Sequence, residues 1–306
     1  MDATTSRAHT ITATRAAVRA LARRSCALLA LLLLLANAYS NASARDFPSQ
    51  QESSASSQLN PIQLEIEKQR QRMASQDAEE RRDAVMRLGW MARADSSRVA
   101  ANALHDQAPI IRATAARAVL SLPADEAAGV LLPVLQDRDE FVRRETAYAL
   151  GETRSRAAVS ALVAVLAGDK EPGVRGAAAV ALGLIGDELA VVPLTQTLSR
   201  RVPASGLLSR LRRGKTEENE FVRRAAARSL GQIRSRAAVP ALIETLMNER
   251  AGDDVRREAA LALGSIGDPS AVAALRAALT SNDPYLSRIA YEALRKIAPT
   301  EAARPS

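Results

Sequence analysis

The stretches EFVRRETAYALG at 140–151 and EFVRRAAARSLG at 220–231 are nearly the same twelve residues, and residues 140–166 and 220–246 agree at 17 of 27 positions. Repetition on this scale constrains the fold more than any local propensity. A recurring unit of about 20–50 residues cannot bury its apolar face alone and must stack on copies of itself. The anchor is an arginine that stands, in most copies, eight residues before a glycine. It recurs at Arg81, Arg112, Arg143, Arg175, Arg223, Arg256 and Arg288, at intervals of 31, 31, 32, 48, 33 and 32. The period is near 32, and one interval carries about 16 extra residues.

Each unit has two helical halves. The first carries an apolar stripe at i, i+4, i+7 and i+8, as in Val174, Ala178, Ala181 and Leu182 or Val255, Ala259, Ala262 and Leu263. A turn follows, as at Gly186-Asp187 and Gly267-Asp268, where glycine ends one helix and aspartate caps the next. The second half reads AAVSALVAVL, LAVVPLTQTL, AAVPALIETL or SAVAALRAAL. With 47% hydrophobic but only 3% aromatic residues, the chain favours close-packed, alanine- and leucine-rich helices over strands.

The recurring VR-x-x-A-A-x-A-L-G followed by AV-x-A-L resembles HEAT repeats, in the short form found in phycobilisome lyases, over roughly residues 77–298. Leu120 stands where that pattern has glycine. The resemblance implies an all-α, right-handed α–α solenoid of about six and a half repeats, the last ending after its first helix. It also brings two enzymes into view, bilin lyase and the iron-dependent deoxyhypusine hydroxylase, which binds its metal through several His-Glu pairs. No such pair stands here: His105 is followed by Asp106, and His9 is the only other histidine. From the residues the chain is therefore expected to be non-catalytic, with no cofactor and no metal.

Before the repeats, arginines at 7, 15, 19, 23 and 24 precede the apolar run Cys26–Ala36, and small residues follow at Ala36–Ala38 and Ala42–Ala44. That order is a secretory signal, with cleavage expected after Ala38 or Ala44. Eleven apolar residues fall short of the ~20 of a membrane span, so no transmembrane helix is expected after signal removal. An uncleaved anchor and an organellar transit peptide are the alternatives to a periplasmic or secreted protein. Residues 45–59, rich in serine and glutamine, read as a flexible linker. Residues 60–76 read as an N-terminal capping helix opened by Asn60-Pro61, and 299–306 as a tail. Cys26, the only cysteine, lies in the segment expected to be removed.

The net charge of +8 is unevenly spread. Residues 1–44 carry +4, and residues 200–215 hold six basic and no acidic side chains. The basic insertion at 200–216 is thus a candidate partner-binding element: Arg200, Arg201, Arg210, Arg212, Arg213 and Lys215, interleaved with Leu207, Leu208 and Leu211. Its SRLRRGKT has Ser209 where a phosphate-binding loop needs glycine. Gln196, Ile243, Glu244 and Arg276, on second helices, extend the candidate surface. A protein partner, acidic in character, is expected, and no nucleic acid; the alternative is that the insertion binds an anionic surface or nucleic acid. The arginines Arg143, Arg175, Arg223, Arg256 and Arg288, with the acids Asp139, Asp169, Glu220, Asp253 and Asp283, are expected to form an ion-pair ladder tying each repeat to the next. Trp90, Phe141, Tyr148 and Phe221 are expected in core or inter-repeat packing.

Overall fold

The computed structural model describes residues 60–203 and 215–301. The signal and linker segments and most of the basic insertion lie outside them. The described chain opens with α1 (Pro61–Arg72), whose N-terminus is held by a reciprocal cap: Asn60 accepts the Ile62 amide, and Gln63 accepts the Asn60 amide. Six helix pairs and a final single helix follow. First helices are α2 (Ala78–Trp90), α4 (Pro109–Ala118), α6 (Glu140–Thr153), α8 (Pro172–Ile185), α10 (Glu220–Ile233), α12 (Asp253–Ile266) and α14 (Pro284–Ile297). Second helices are α3 (Ala94–Ala100), α5 (Ala124–Leu131), α7 (Val159–Gly168), α9 (Val191–Leu198), α11 (Val239–Met247) and α13 (Val272–Ala278). The fold is an all-α repeat solenoid, and the expected two-helix unit is borne out. Between α9 and α10 a two-stranded antiparallel ribbon, β1 (Arg201–Pro203) on β2 (Lys215–Glu217), opens and closes the insertion.

The apolar stripes form one continuous core along the array. Leu150, Leu162, Leu182, Leu194, Leu230, Leu242 and Leu263 are fully buried, and each belongs to a repeated position. Glycine eight residues after the anchor sets how closely successive first helices approach. A Cβ on Gly151 would lie 2.6 Å from the Ala181 Cα, one on Gly231 2.8 Å from the Ala262 Cα, and one on Gly264 2.8 Å from the Ala293 Cβ. No methyl fits between these backbones.

The turns after α6, α8, α10 and α12 run through the left-handed region. Gly186 and Gly267 take it at φ 73° and 75°, but in the RSRAAV copies arginine occupies the same place, Arg154 at φ 55° and Arg234 at φ 61°. A side chain there costs about 1–2 kcal/mol. Arg154→Gly is expected to stabilise the protein by about 0.5–1 kcal/mol, part of that gain being offset by glycine's freedom when unfolded. Thermal unfolding checks this; an unchanged or lowered Tm contradicts it.

Trp90 is a correction. It is 75% exposed at the end of α2, and Phe221 is 40% exposed, leaning on Gly176 of the preceding repeat. Trp90 falls two residues past Leu88, the last buried position of its helix, and so turns to solvent.

Candidate functional site

The anchor arginines do more than bridge. Arg112 grips Asp137 through Nε and Nη2, both at 2.7 Å, while its Nη1 donates to the carbonyls of Asp106 (2.8 Å) and Gln107 (3.1 Å). Arg143 does the same with Asp169 (2.7 and 3.1 Å) and the Asp137 carbonyl (2.9 Å). Arg81 takes Asp106 (2.8 and 3.0 Å), and Arg175 takes Glu218 (2.9 and 2.6 Å) together with the Asp169 carbonyl (2.8 Å). Each aspartate thus offers its carboxylate to the arginine of the repeat it ends and its carbonyl to the arginine of the next repeat. The links run unbroken from Arg81 to Glu218.

Each carboxylate has a second duty. Asp106, Asp137 and Asp169 accept the amide two residues on, at Ala108, Asp139 and Glu171, all at 2.9 Å. These turns start the next first helix. For Asp137 and Asp169, burial works to raise the pKa, but the paired guanidinium and the backbone amide outweigh it and hold each carboxyl below its usual range. The Arg81 guanidinium is the leading cause that lowers Asp106.

Several expected members are placed differently. Asp139 caps α6, accepting from Phe141 (2.9 Å) and Val142 (3.3 Å), and the side chain of Arg143 goes to Asp169. Glu220 is exposed at the start of α10. Asp253 lies 4.0 Å from Arg256, whose Nε donates to the Leu246 carbonyl at 3.0 Å. Asp283 pairs bidentately with Arg257 (2.7 and 2.9 Å), and Arg288 pairs with Glu292 (3.1 Å) on the surface. The physical reason is reach. Asp139 at its helix start turns onto its own first-turn amides, whereas an acid at the end of the preceding second helix faces the neighbouring arginine; Asp283, the N-cap of α14, does both, accepting the Tyr285 amide as well as pairing with Arg257. The sequence does carry a signal for the true partners: Asp106, Asp137 and Asp169 stand 25, 25 and 26 residues after Arg81, Arg112 and Arg143.

The insertion enters at this same edge. Its return strand ends at Glu217, which reaches Arg223 Nη1 at 2.7 Å, and the next residue, Glu218, is fully buried against Arg175. Arg200 does not project: it donates to the Leu166 carbonyl (2.9 Å) and the Ala167 carbonyl, satisfying the end of α7, and lies 3.7 Å from Glu218. Leu207, Leu208, Arg210, Leu211, Arg212 and Arg213 lie outside the described residues, and Lys215 is placed only as the start of β2. β1, β2 and the ends of α9 and α11 enclose a cleft of about 150 Å³, with Thr195, Arg201, Glu217, Arg223, Glu244 and Asn248 in its wall. Arg201 and Glu244 are thereby brought together. Gln196 is exposed on α9, Ile243 half-buried on α11 and Arg276 exposed on α13.

A stack of helix pairs stitched by buried arginine–carboxylate links, with one insertion at the stitched edge, defines an α-solenoid repeat protein. The HEAT repeats family model matches residues 128–205 and 204–295, and the chain belongs to that family. The likeness to HEAT repeats expected from the sequence is therefore shown. A stretch of 62 residues, 20% of this chain, is 45% identical to the bilin biosynthesis protein PecE of Mastigocladus laminosus, and it spans 23% of that protein's length. The CpcE–CpcF complex of phycocyanin lyase from Nostoc sp. PCC7120 superposes with a TM-score of 0.46 at 23% identity, over 83% of this chain and 92% of that one. The X-ray structure of Escherichia coli YibA gives 0.52 at 20% identity, over 77% and 81%. The likeness to YibA shows the fold and nothing beyond it.

One expectation is overturned here. The residues alone argue for a non-catalytic chain, but a local match at 45% identity to a protein of bilin biosynthesis removes the ground for that exclusion. Among the described residues no helix is long and apolar enough to cross a membrane.

Proposed function

We propose that this HEAT-repeat protein binds another protein along its second-helix face and at the ladder edge beside the insertion. The observation that carries the reading is where the insertion sits. Its ribbon closes over the ends of α9 and α11 and adds Arg201 and Glu217 to a cleft whose floor is second-helix residues. A volume of about 150 Å³ is below the ~300–1,000 Å³ of small-molecule sites and suits side chains of a partner. Leu189, just before α9, and Val192, in its first turn, are 76% and 61% exposed and add apolar contact area. The six basic residues at 200–215 would steer an acidic partner and make association salt-sensitive.

The test is affinity capture and cross-linking with the full chain, intact and with residues 204–214 replaced by Asn-Gly. The dipeptide keeps the β1–β2 register as a two-residue hairpin. A partner retained by the intact chain and lost by the variant, increasingly with salt, is expected. Retention of nothing by the intact chain would sink the reading. Export belongs to the same proposal and rests on the order of residues 1–44; a mature N-terminus at Tyr39 or Arg45 supports it, and an intact Met1 opposes it.

A second reading is favoured by the match to PecE: participation in bilin biosynthesis. Visible absorbance of a free bilin titrated with the protein tests it, and an unchanged spectrum counts against it.

A further inference from the structure

The ladder stops at a definite place, and the way it stops points to a ligand. In repeats one to four, Nε and Nη2 of the anchor arginine close on a carboxylate. In repeat five they do not. Arg223 is 7% exposed, its Nη2 donates to the Ala251 carbonyl at 2.9 Å, and its Nε is buried without a hydrogen-bond partner. A charged donor left so is costly, by about 1–3 kcal/mol or more, and natural proteins rarely keep one without use.

The missing group can be named. The carboxylates Asp106, Asp137 and Asp169 each stand at the end of a second helix or of the 3-10 turn that extends it, and each accepts the amide two residues on. Asn248 has the same place after α11, accepts the Arg250 amide at 3.0 Å, and stands 25 residues after Arg223, as Asp137 does after Arg112. The turn is kept and the charge is gone. Asn248 and Arg223 line the same cleft. The equivalent opening two repeats earlier is lined by Arg143 and Asp169, already joined. Among the described residues, the carboxylate that approaches Arg223 is Glu217, whose side chain is 45% exposed, and it does so at Nη1, the opposite edge.

We infer that the cleft at Arg223 receives a carboxylate from outside the chain, a glutamate or aspartate side chain of an acidic segment on a protein partner. Arg223 offers it the Nε–Nη2 edge that the four preceding arginines already close on carboxylates, with the Ala251 carbonyl giving way. Two parallel charge-assisted bonds to a buried guanidinium select a planar carboxylate over other acceptors. Glu217 is the internal competitor, held near enough to limit the charge of the empty cleft. This inference rests on the partner-binding reading and specifies its chemistry.

The test uses the full chain and a fluorescein-labelled ten-residue oligoglutamate, read by anisotropy at low and moderate salt. Asn248→Asp supplies the missing carboxylate internally. It should raise the melting temperature by about 2–4 °C, on the scale of one added buried pair in a domain of this size, and weaken probe binding at least tenfold. Glu217→Gln removes the competitor and should tighten binding several-fold. Probe binding unchanged by Asn248→Asp would put the peptide elsewhere, on the basic insertion, and overturn the inference. So would an unchanged melting temperature, because the aspartate would then not reach Arg223, and so would the absence of probe binding to the parent chain. Capture with the Asn248→Asp bait separates the two levels. A partner held equally by both baits leaves partner binding standing and removes the cleft. Probe binding lost on substitution while neither bait retains a protein does the reverse.

Discussion

Arg143→Leu is expected to destabilise the protein by about 3–5 kcal/mol, the cost of leaving a buried carboxylate without its partner. Asp169 keeps only 8% of its side-chain surface and would lose both guanidinium bonds, and the Asp137 carbonyl would lose its donor as well. Replacing both members, Arg143→Leu with Asp169→Leu, should cost less than the single change, since no charge is then stranded. Urea titration of the three variants measures this, and a double variant worse than the single one would contradict the assignment. The same link sets the acid limit. Asp106, Asp137 and Asp169 are all held below their usual pKa when folded. Their contribution is complete above the unfolded carboxylate value of about 3.9 and is lost as pH falls below it through the folded values, because the unfolded chain then binds more protons. In the Arg143→Leu variant the part of this acid sensitivity that belongs to Asp169 should vanish.

Gly151→Ala should be the most damaging single methyl in the described array. The added carbon would sit 2.6 Å from a backbone atom, the Ala181 Cα, and 2.8 Å from its Cβ, so the two first helices must part. Overpacking of this kind costs about 1–3 kcal/mol. Ala181→Gly on the facing helix removes that helix's methyl, but its backbone still blocks the added carbon, and the change carries its own helix-propensity cost of about 1 kcal/mol. The double variant should therefore recover only part of the loss. Full additivity in the four-variant cycle would show that the residues do not meet.

How far the sequence is legible follows from the range over which its signals act. The stripe Val174, Ala178, Ala181 and Leu182 is local, repeats in register, and names both the helix and its buried face. Arg143 stands out for the same reason, by recurrence. Its partner is harder to read because Asp139, four residues before it, competes in the sequence with Asp169, 26 residues after, and only the stacking of repeats brings the distant acid closer. Gly151 is visible as part of a motif, but what it accommodates belongs to the next helix. Asn248 carries no mark in the sequence. Its meaning lies in having an amide where the aspartates at the same place have a carboxylate, and that place is recognisable only once Arg112 is seen holding Asp137. Trp90 runs against expectation because aromatic scarcity says how few rings there are and nothing of which way one faces.

Because each aspartate serves one arginine with its carboxylate and the next with its carbonyl, the bonds from Arg81 to Glu218 lie in series, like the members of a truss. Deforming one joint loads its neighbours, so this span resists bending as a unit. Past Glu218 the member is missing at Asn248, and after Arg256 the link shifts by one residue, to Arg257 and Asp283. The joint between repeats five and six is therefore where the series is interrupted and where bending is expected to be least costly. A partner whose carboxylate filled the Arg223 cleft would supply the absent strut and stiffen the array at the point where it yields most.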